Sequence, residues 1–249
     1  MQREPDAGGL TEELRYLLFG CAAPAVLFGL LGWYNLSLLH QEVASRPHSF
    51  AVLMTGPLER ALYLAFVSIP VVIYVTRPRA LTRAAGLPPR VAAFVGTTML
   101  LAFPAYFHDG PRIFTAPPLV HALAELTLVI CTAFGVYALT YLRHNFSIIP
   151  EARDLVTCGP YRVVRHPVYF AEIGVALGLA LQGDVHLWSA LILGPFVALQ
   201  VVRSFYEEQL LRSTFPEYDE YAQYVGRLVP GVTPAALARR SHLRHTSSH

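Results

Sequence analysis

The chain has 249 residues, 54% of them hydrophobic and only 14% charged, with a mean hydropathy of +0.42; it is too apolar for an ordinary soluble domain and belongs in a bilayer. Its net charge is +2 and all 19 basic residues are arginine, which gives no support to a broad nucleic-acid surface, so no nucleic-acid partner is expected. Three widely spaced cysteines, Cys21, Cys131 and Cys158, suggest neither a disulfide framework nor a zinc site, and no metal is expected.

The first apolar run, residues 14–39, is long enough to cross ~30 Å of hydrocarbon at ~1.5 Å per residue. It exceeds a signal-peptide core and no clear cleavage site follows it, so it reads as a retained membrane helix. Further runs occupy residues 58–76, 91–107, 119–142, 168–182 and 187–205. The expected fold class is all-α: a polytopic membrane helical bundle of about six transmembrane helices. The fifth is short for a crossing that takes ~20 residues. Gln182, Gly183 and Asp184 form a tight-turn signal, so the last two helices are expected to make a helical hairpin. Gly174 and Gly178 share one face of its first arm, either as a close helix contact or as ordinary membrane composition. The organisation expected is four N-terminal membrane helices over 1–142, a core over 143–230 and a polar, disordered tail over 231–249. His242, His245 and His249 fall in that tail and carry no site.

Arginine bias sets the orientation. Arg77, Arg79, Arg83 and Arg90 follow the second run, and Arg143, Arg153, Arg162 and Arg165 follow the fourth. The remaining short loops are poor in arginine. Both rich loops and both termini are therefore expected on the cytoplasmic side of a multi-pass integral membrane protein.

Two stretches concentrate polar residues at that face. The first is Gly159-Pro160-Tyr161, followed by Arg165-His166-Pro167 and Tyr169. The second begins inside the sixth run with Arg203, Glu207 and Glu208, and continues through Phe215, Tyr218, Tyr221, Tyr224, Arg227 and Pro230. Arg203 and Glu207 form an i,i+4 pair. Each stretch alone is equally consistent with an interfacial polar and aromatic belt. Within the apolar runs, His121 and Glu125 share a helix face, and Glu172 lies three residues beyond Tyr169. Such groups either glue helices together or mark a functional site, and Glu172 is the one expected to face the site.

Taken together, and in this order around a helical hairpin, the two stretches resemble the isoprenylcysteine carboxyl methyltransferase family, and more broadly the membrane methyltransferases that include phospholipid methyltransferases. The resemblance covers residues 146–230. It implies an integral membrane enzyme that uses S-adenosylmethionine without a Rossmann domain, with the cofactor at the cytosolic face and a lipophilic or small-molecule acceptor entering from the bilayer. The chain has no Gly-x-Gly-x-x-Gly after an expected strand. Carried over residue by residue, it implies cofactor contacts from Gly159, Tyr161, Arg165, His166, Pro167, Tyr169, Glu207, Glu208, Tyr218 and Tyr221, and catalytic roles for Arg203, Glu208 and His166. Ala171 departs from the family, where many members have glycine.

The chemistry of such a cofactor asks for cation, anion and aromatic surfaces together. Arg165 or His166 suits its carboxylate, Glu207 or Glu208 its ammonium or ribose hydroxyls, and Tyr161 or Tyr169 its adenine or sulfonium. Pro167 in the first helical turn leaves neighbouring amides free for an anion. Methyl transfer needs alignment and exclusion of water. A carboxylate or thiolate acceptor needs no strong base, whereas an amine or neutral thiol needs one, with His166 or a glutamate as the candidate. Two other classes share the architecture: a nicotinamide-dependent membrane reductase of the sterol reductase type, and a non-enzymatic scaffold or transporter, the latter disfavoured by polar residues gathered at one face.

Overall fold

The computed structural model describes residues 16–45, 50–106, 111–182, 184–231 and 233. The polar tail with His242, His245 and His249, and Gly183 of the expected turn, lie outside the described residues. The chain divides into two compact units at Pro78/Arg79.

In the first unit a π-helical stretch, Tyr16–Ala22, leads into α1 (Ala23–Ser45), which packs on α2 (Phe50–Thr76). Phe28 and Tyr74 stack with ring centroids 6.2 Å apart. Arg77 lies 4.1 Å over the Tyr74 ring and donates to the Gly20 carbonyl.

The second unit holds α3 (Pro88–Tyr106), α4 (Pro118–Leu142), α5 (Pro167–Leu181), α6 (Leu187–Thr214) and the short α7 (Tyr218–Tyr224). Two-residue strands β1 (Thr82–Arg83) and β3 (Glu151–Ala152) pair antiparallel. At another pair of loops β2 (Arg112–Thr115) pairs antiparallel with β4 (Asp184–His186). β1 and β3 join the two arginine-rich loops that precede α3 and follow α4. β2 and β4 join the loops that follow α3 and α5. The arginine-rich loops therefore share one end of these helices, as their charge required.

α4 packs chiefly on α5, α5 on α6, and α3 on α6. Phe196 of α6 is fully buried against Ala176 and Ala180 of α5. Of the two readings of Gly174 and Gly178, the structure shows the close helix contact. A Cβ at Gly178 would stand 2.7 Å from Leu128 Cγ and 3.1 Å from the Ala124 carbonyl, and one at Gly174 would overlap Cys131 Sγ. Glycine there is a packing requirement between α4 and α5 rather than a habit of composition. Gly178→Val is expected to destabilise the unit by ~1–3 kcal/mol through overpacking, read as a lowered melting temperature in detergent.

The all-helical membrane class is borne out, and α5 and α6 follow one another and pack as a hairpin, with β4 in the connection. Among the described residues, four helices are long and apolar enough to cross a membrane, Tyr16–Gln41, Pro57–Thr76, Pro118–Asn145 and Leu187–Thr214, which does not confirm the expected count of six. Pro167–Leu181 is apolar but short, covering only about 22 Å at 1.5 Å per residue.

Candidate functional site

α5 opens with Pro167, whose fixed φ suits the first helical turn, and His166 stands before it as the cap residue. The preceding loop is turned by Gly159 at φ +59, a left-handed backbone that side chains resist. The Tyr141 ring fills the space where a Cβ would go. The loop is then stitched to the segment after α7. Val164 bridges Gly226 in parallel, the Arg165 amide donates to the Gly226 carbonyl at 2.8 Å, and the His166 amide donates to the Arg227 carbonyl at 3.1 Å. The Tyr221 hydroxyl donates to the Tyr161 carbonyl. The two motif stretches thus form one body.

Glu208 is its hub. Its carboxylate is wholly buried at 0% exposure and receives Arg165 Nε at 2.8 Å. Arg227 grips it with two bonds, Nε at 3.0 Å and Nη2 at 2.7 Å. His166 Nε2 stands 3.3 Å away, and Arg212 Nη2 reaches it at 3.4 Å from the surface. Arg165 spends its remaining donors on the Ala222 and Val225 carbonyls. Arg165 and Glu208 therefore hold the site together with groups already committed to each other. Arg227 also lies 3.6 Å over the Phe205 ring.

His166 sits between two carboxylates, with Nδ1 3.5 Å from Glu207 and Nε2 3.3 Å from Glu208, and stacks on Tyr169. Burial pushes its pKa down, but hydrogen bonds and charge from Glu207 and Glu208 outweigh burial and leave it raised above the ordinary value. A raised folded-state pKa adds stability that is complete below the ordinary imidazole value of ~6.5 and is lost as pH climbs through the raised one. The stability gap between wild type and His166→Gln should therefore shrink as pH rises above ~6.5, measured by melting over a pH series.

A pocket opens beside this hub, lined by Tyr161, Arg165, Glu207, Tyr218 and Tyr221 together with Leu142, Asn145, Glu151, Asp154, Leu155, Val156 and Leu211. Glu151 in its wall is fixed by Arg83 Nε at 3.1 Å and Arg153 Nη2 at 2.6 Å. Asn145 Oδ1 accepts the Asp154 amide at 2.9 Å, and Asp154 pairs with His144 at 2.8 Å. The Tyr218 residue is 1% exposed and its hydroxyl has no hydrogen-bond partner among the described residues. Burial raises the Tyr161, Tyr218 and Tyr221 phenols above their ordinary value, so all three stay protonated.

Five of the sequence-expected cofactor residues therefore line one pocket: Tyr161, Arg165, Glu207, Tyr218 and Tyr221. Gly159, His166, Pro167, Tyr169 and Glu208 stand behind it. Arg203 lies deeper in the bundle, its guanidinium 4.8 Å over the Tyr169 ring. Arg203 Nη1 donates to Gln200 Oε1 at 2.8 Å, and Gln200 in turn donates to Glu172. Glu172, expected to face the site, is not among the pocket-lining residues and instead lies 3.7 Å from Arg203 Nη1. His121 and Glu125 pair with each other at 3.4 Å. Gln200, Asn145 and Asp154 were not singled out in the sequence. Only Gln200 carried a signal, as an amide in the middle of an apolar helix three residues before Arg203.

Residues 114–218 match the family model described as phospholipid methyltransferase, in agreement with the resemblance read from the motifs. The chain is 33% identical over 101 residues to the nickel-cobalt-cadmium resistance protein NccN of Alcaligenes xylosoxydans xylosoxydans, covering 40% of this chain and 43% of that one. It is 28% identical over 160 residues to the cobalt-zinc-cadmium resistance protein CzcN of Cupriavidus metallidurans, covering 64% of this chain and 65% of that one. The matched stretch thus spans less than two thirds of either relative. Among solved structures, the eukaryotic intramembrane Ras methyltransferase ICMT (isoprenylcysteine carboxyl methyltransferase) matches at 15% identity and a TM-score of 0.37, over 88% of this chain and 97% of that one.

Proposed function

We propose that this chain, whose residues 114–218 carry the phospholipid methyltransferase pattern, is an integral membrane methyltransferase that draws its methyl group from S-adenosylmethionine and gives it to an acceptor held in or at the bilayer. The observation that carries the reading is the pocket where both motif stretches meet, with the buried Tyr218 phenol and the Glu207 carboxylate in its wall. The donor set fits the cofactor. Tyr218 offers a hydroxyl with no hydrogen-bond partner among the described residues, and Glu207, its side chain 32% exposed, offers negative charge to an ammonium or sulfonium. Leu142, Leu155, Val156 and Leu211 supply apolar wall, suited to a purine face.

The bound cofactor would supply a methyl carbon already activated by a sulfonium. The protein's part is placement. The Glu208 hub keeps the Gly159–Arg162 turn, α6 and α7 in register, and His166 and Tyr169 hold the Glu207 carboxylate. We place the pocket at the cytoplasmic face, because the two arginine-rich loops that close it share one end of the helices. The test is incubation of membranes carrying the protein with methyl-labelled S-adenosylmethionine. Label should enter the organic-extractable fraction and fall at least tenfold with Glu207→Gln; equal labelling by membranes without the protein would overturn the reading.

A further inference from the structure

Four carboxylates stand in or behind the pocket wall, and their partners differ in kind. Glu208 is held by Arg165 and Arg227, and Glu151 by Arg83 and Arg153. Asp154 belongs to the loop after α4, pairs with His144 at 2.8 Å and has a side chain 67% exposed. Glu207 belongs to α6, one of the helices long and apolar enough to cross a membrane. It pairs with an imidazole, His166 Nδ1 at 3.5 Å, whose own side chain is 4% exposed.

Charged and titratable groups face His166 from each element around it. Glu207 and Glu208 of α6 stand at its two ring nitrogens. Tyr169 of α5 stacks on it, with Arg203 of α6 4.8 Å over the Tyr169 ring and Glu172 of α5 3.7 Å from Arg203. Arg165 of the loop, Arg212 of α6 and Arg227 of the C-terminal segment all reach Glu208, and Asp219 of α7 pairs with Arg212. Tyr161, Tyr218 and Tyr221 are neutral phenols. Because Glu208 already has Arg165 at 2.8 Å and Arg227 at 2.7 Å, a proton on His166 answers chiefly to Glu207. Burial alone would strip that proton, and the two carboxylates keep it. An imidazolium cancels the Glu207 charge, whereas a neutral imidazole leaves the wall negative. A cation brought to Glu207 and a proton on His166 are therefore like charges competing for one carboxylate.

We propose that the pair His166 and Glu207 selects the sulfonium donor over its thioether product by charge exchange: a sulfonium seated against Glu207 displaces the His166 proton, and a neutral thioether does not. This rests on the methyl-donor reading above. Position favours the sulfonium over the ammonium at Glu207. The reacting sulfur must meet an acceptor held in or at the bilayer, and Glu207 is the pocket carboxylate carried by a spanning helix, whereas Asp154 on its exposed loop suits the amino-acid end. The Tyr161, Tyr218 and Tyr221 rings in the same wall add surface that favours an onium. The displaced proton passes to solvent along the Glu207 carboxylate, which is 32% exposed, and no bond of the ligand is made or broken. His166 takes a proton back from solvent once the donor sulfur is neutral, so the product loses the advantage the donor had. His166 acts through Glu207 and is a positioning residue.

The full-length protein in dodecyl maltoside is titrated calorimetrically with S-adenosylmethionine and with S-adenosylhomocysteine, as wild type and as His166→Gln. Buffers of different ionisation enthalpy are used, so that the slope of the heat against that enthalpy counts the protons released. At a pH of about 6.5–7, where a raised imidazole carries its proton, wild type should release a large fraction of one proton more with S-adenosylmethionine than with S-adenosylhomocysteine. His166→Gln should lose that difference. Between pH ~6 and ~8 the ratio of the two affinities should rise at least threefold more in wild type than in the variant. Equal proton release by the two compounds in wild type, or the same difference in His166→Gln, would overturn the proposal. S-adenosylhomocysteine affinity reports that the variant is folded, and if it is not, the wild-type proton counts decide alone. If wild type binds neither compound, the methyl-donor reading falls and the charge exchange with it; if it binds both with equal proton release, only the charge exchange falls.

Discussion

Replacing Glu208 by alanine is expected to destabilise the second unit by about 3–5 kcal/mol, the cost of leaving buried charges without their partner. Arg165 and His166 are buried and Arg227 is partly so, and all three lose the same carboxylate at once. The Arg212 contact contributes little, because that side chain is 44% exposed and surface pairs are worth ~0–1 kcal/mol. The loss should appear as early melting and as loss of ligand binding together, because the hub shapes the pocket without lining it. Glu207→Gln separates the two effects. It removes a charge from the pocket wall, so it should weaken binding while the melt moves far less. If Glu208→Ala melted like wild type and lost only binding, Glu208 would be a ligand and not the hub.

Arg165→Lys is the second large effect. The guanidinium reaches Glu208 through Nε and Nη2, each at 2.8 Å, and the Ala222 and Val225 carbonyls through Nη1. An ammonium is a single point of charge and cannot span those directions from one place. Charge-assisted hydrogen bonds contribute ~1.5–3 kcal/mol each, so loss of the two carbonyl contacts alone predicts about 3 kcal/mol or more. The C-terminal segment, tied to the loop by these bonds, should come away first. Limited proteolysis should cut the Arg165→Lys protein between α7 and Arg227 at a protease level that leaves wild type whole. Equal resistance of the two proteins would show that the backbone bridge from Val164 to Gly226 suffices.

The helices were legible in the sequence because a bilayer leaves a blunt signal. The apolar run 119–142 became Pro118–Leu142, and the run 168–182 became Pro167–Leu181. The run 187–205 ended nine residues short of the helix end at Thr214. Arg203, Glu207 and Glu208 read as an approach to water, yet each has side-chain partners inside the protein, so the helix continues. Strands β1 to β4 were invisible, since two to four residues carry no period and their pairing joins loops far apart in sequence.

In the candidate site, the two motif stretches come together in one body, but residue types did not disclose which side chains line its pocket. Arg165 and Glu208 look like ligands and are bound to each other, whereas Glu207, their neighbour in sequence, faces the pocket. Asn145 and Asp154 enter the wall only because the loop after α4 is pinned by Glu151 to Arg83 and Arg153. That is a long-range arrangement, and no local spacing announces it. Gln200 links Arg203 to Glu172 inside the bundle, and an isolated amide in a membrane helix carries no local signal of such a link.

The most direct measurement is equilibrium binding of S-adenosylmethionine and of NADPH to the detergent-purified protein, beside a Tyr218→Phe variant. That substitution removes only the unpartnered hydroxyl, worth ~0.5–1.5 kcal/mol when bonded to a ligand. Saturable S-adenosylmethionine binding is expected, weakened roughly two- to tenfold in Tyr218→Phe with an unchanged melt, and no competition by NADPH. Binding of NADPH with none of S-adenosylmethionine would contradict it and make the chain a nicotinamide-dependent reductase.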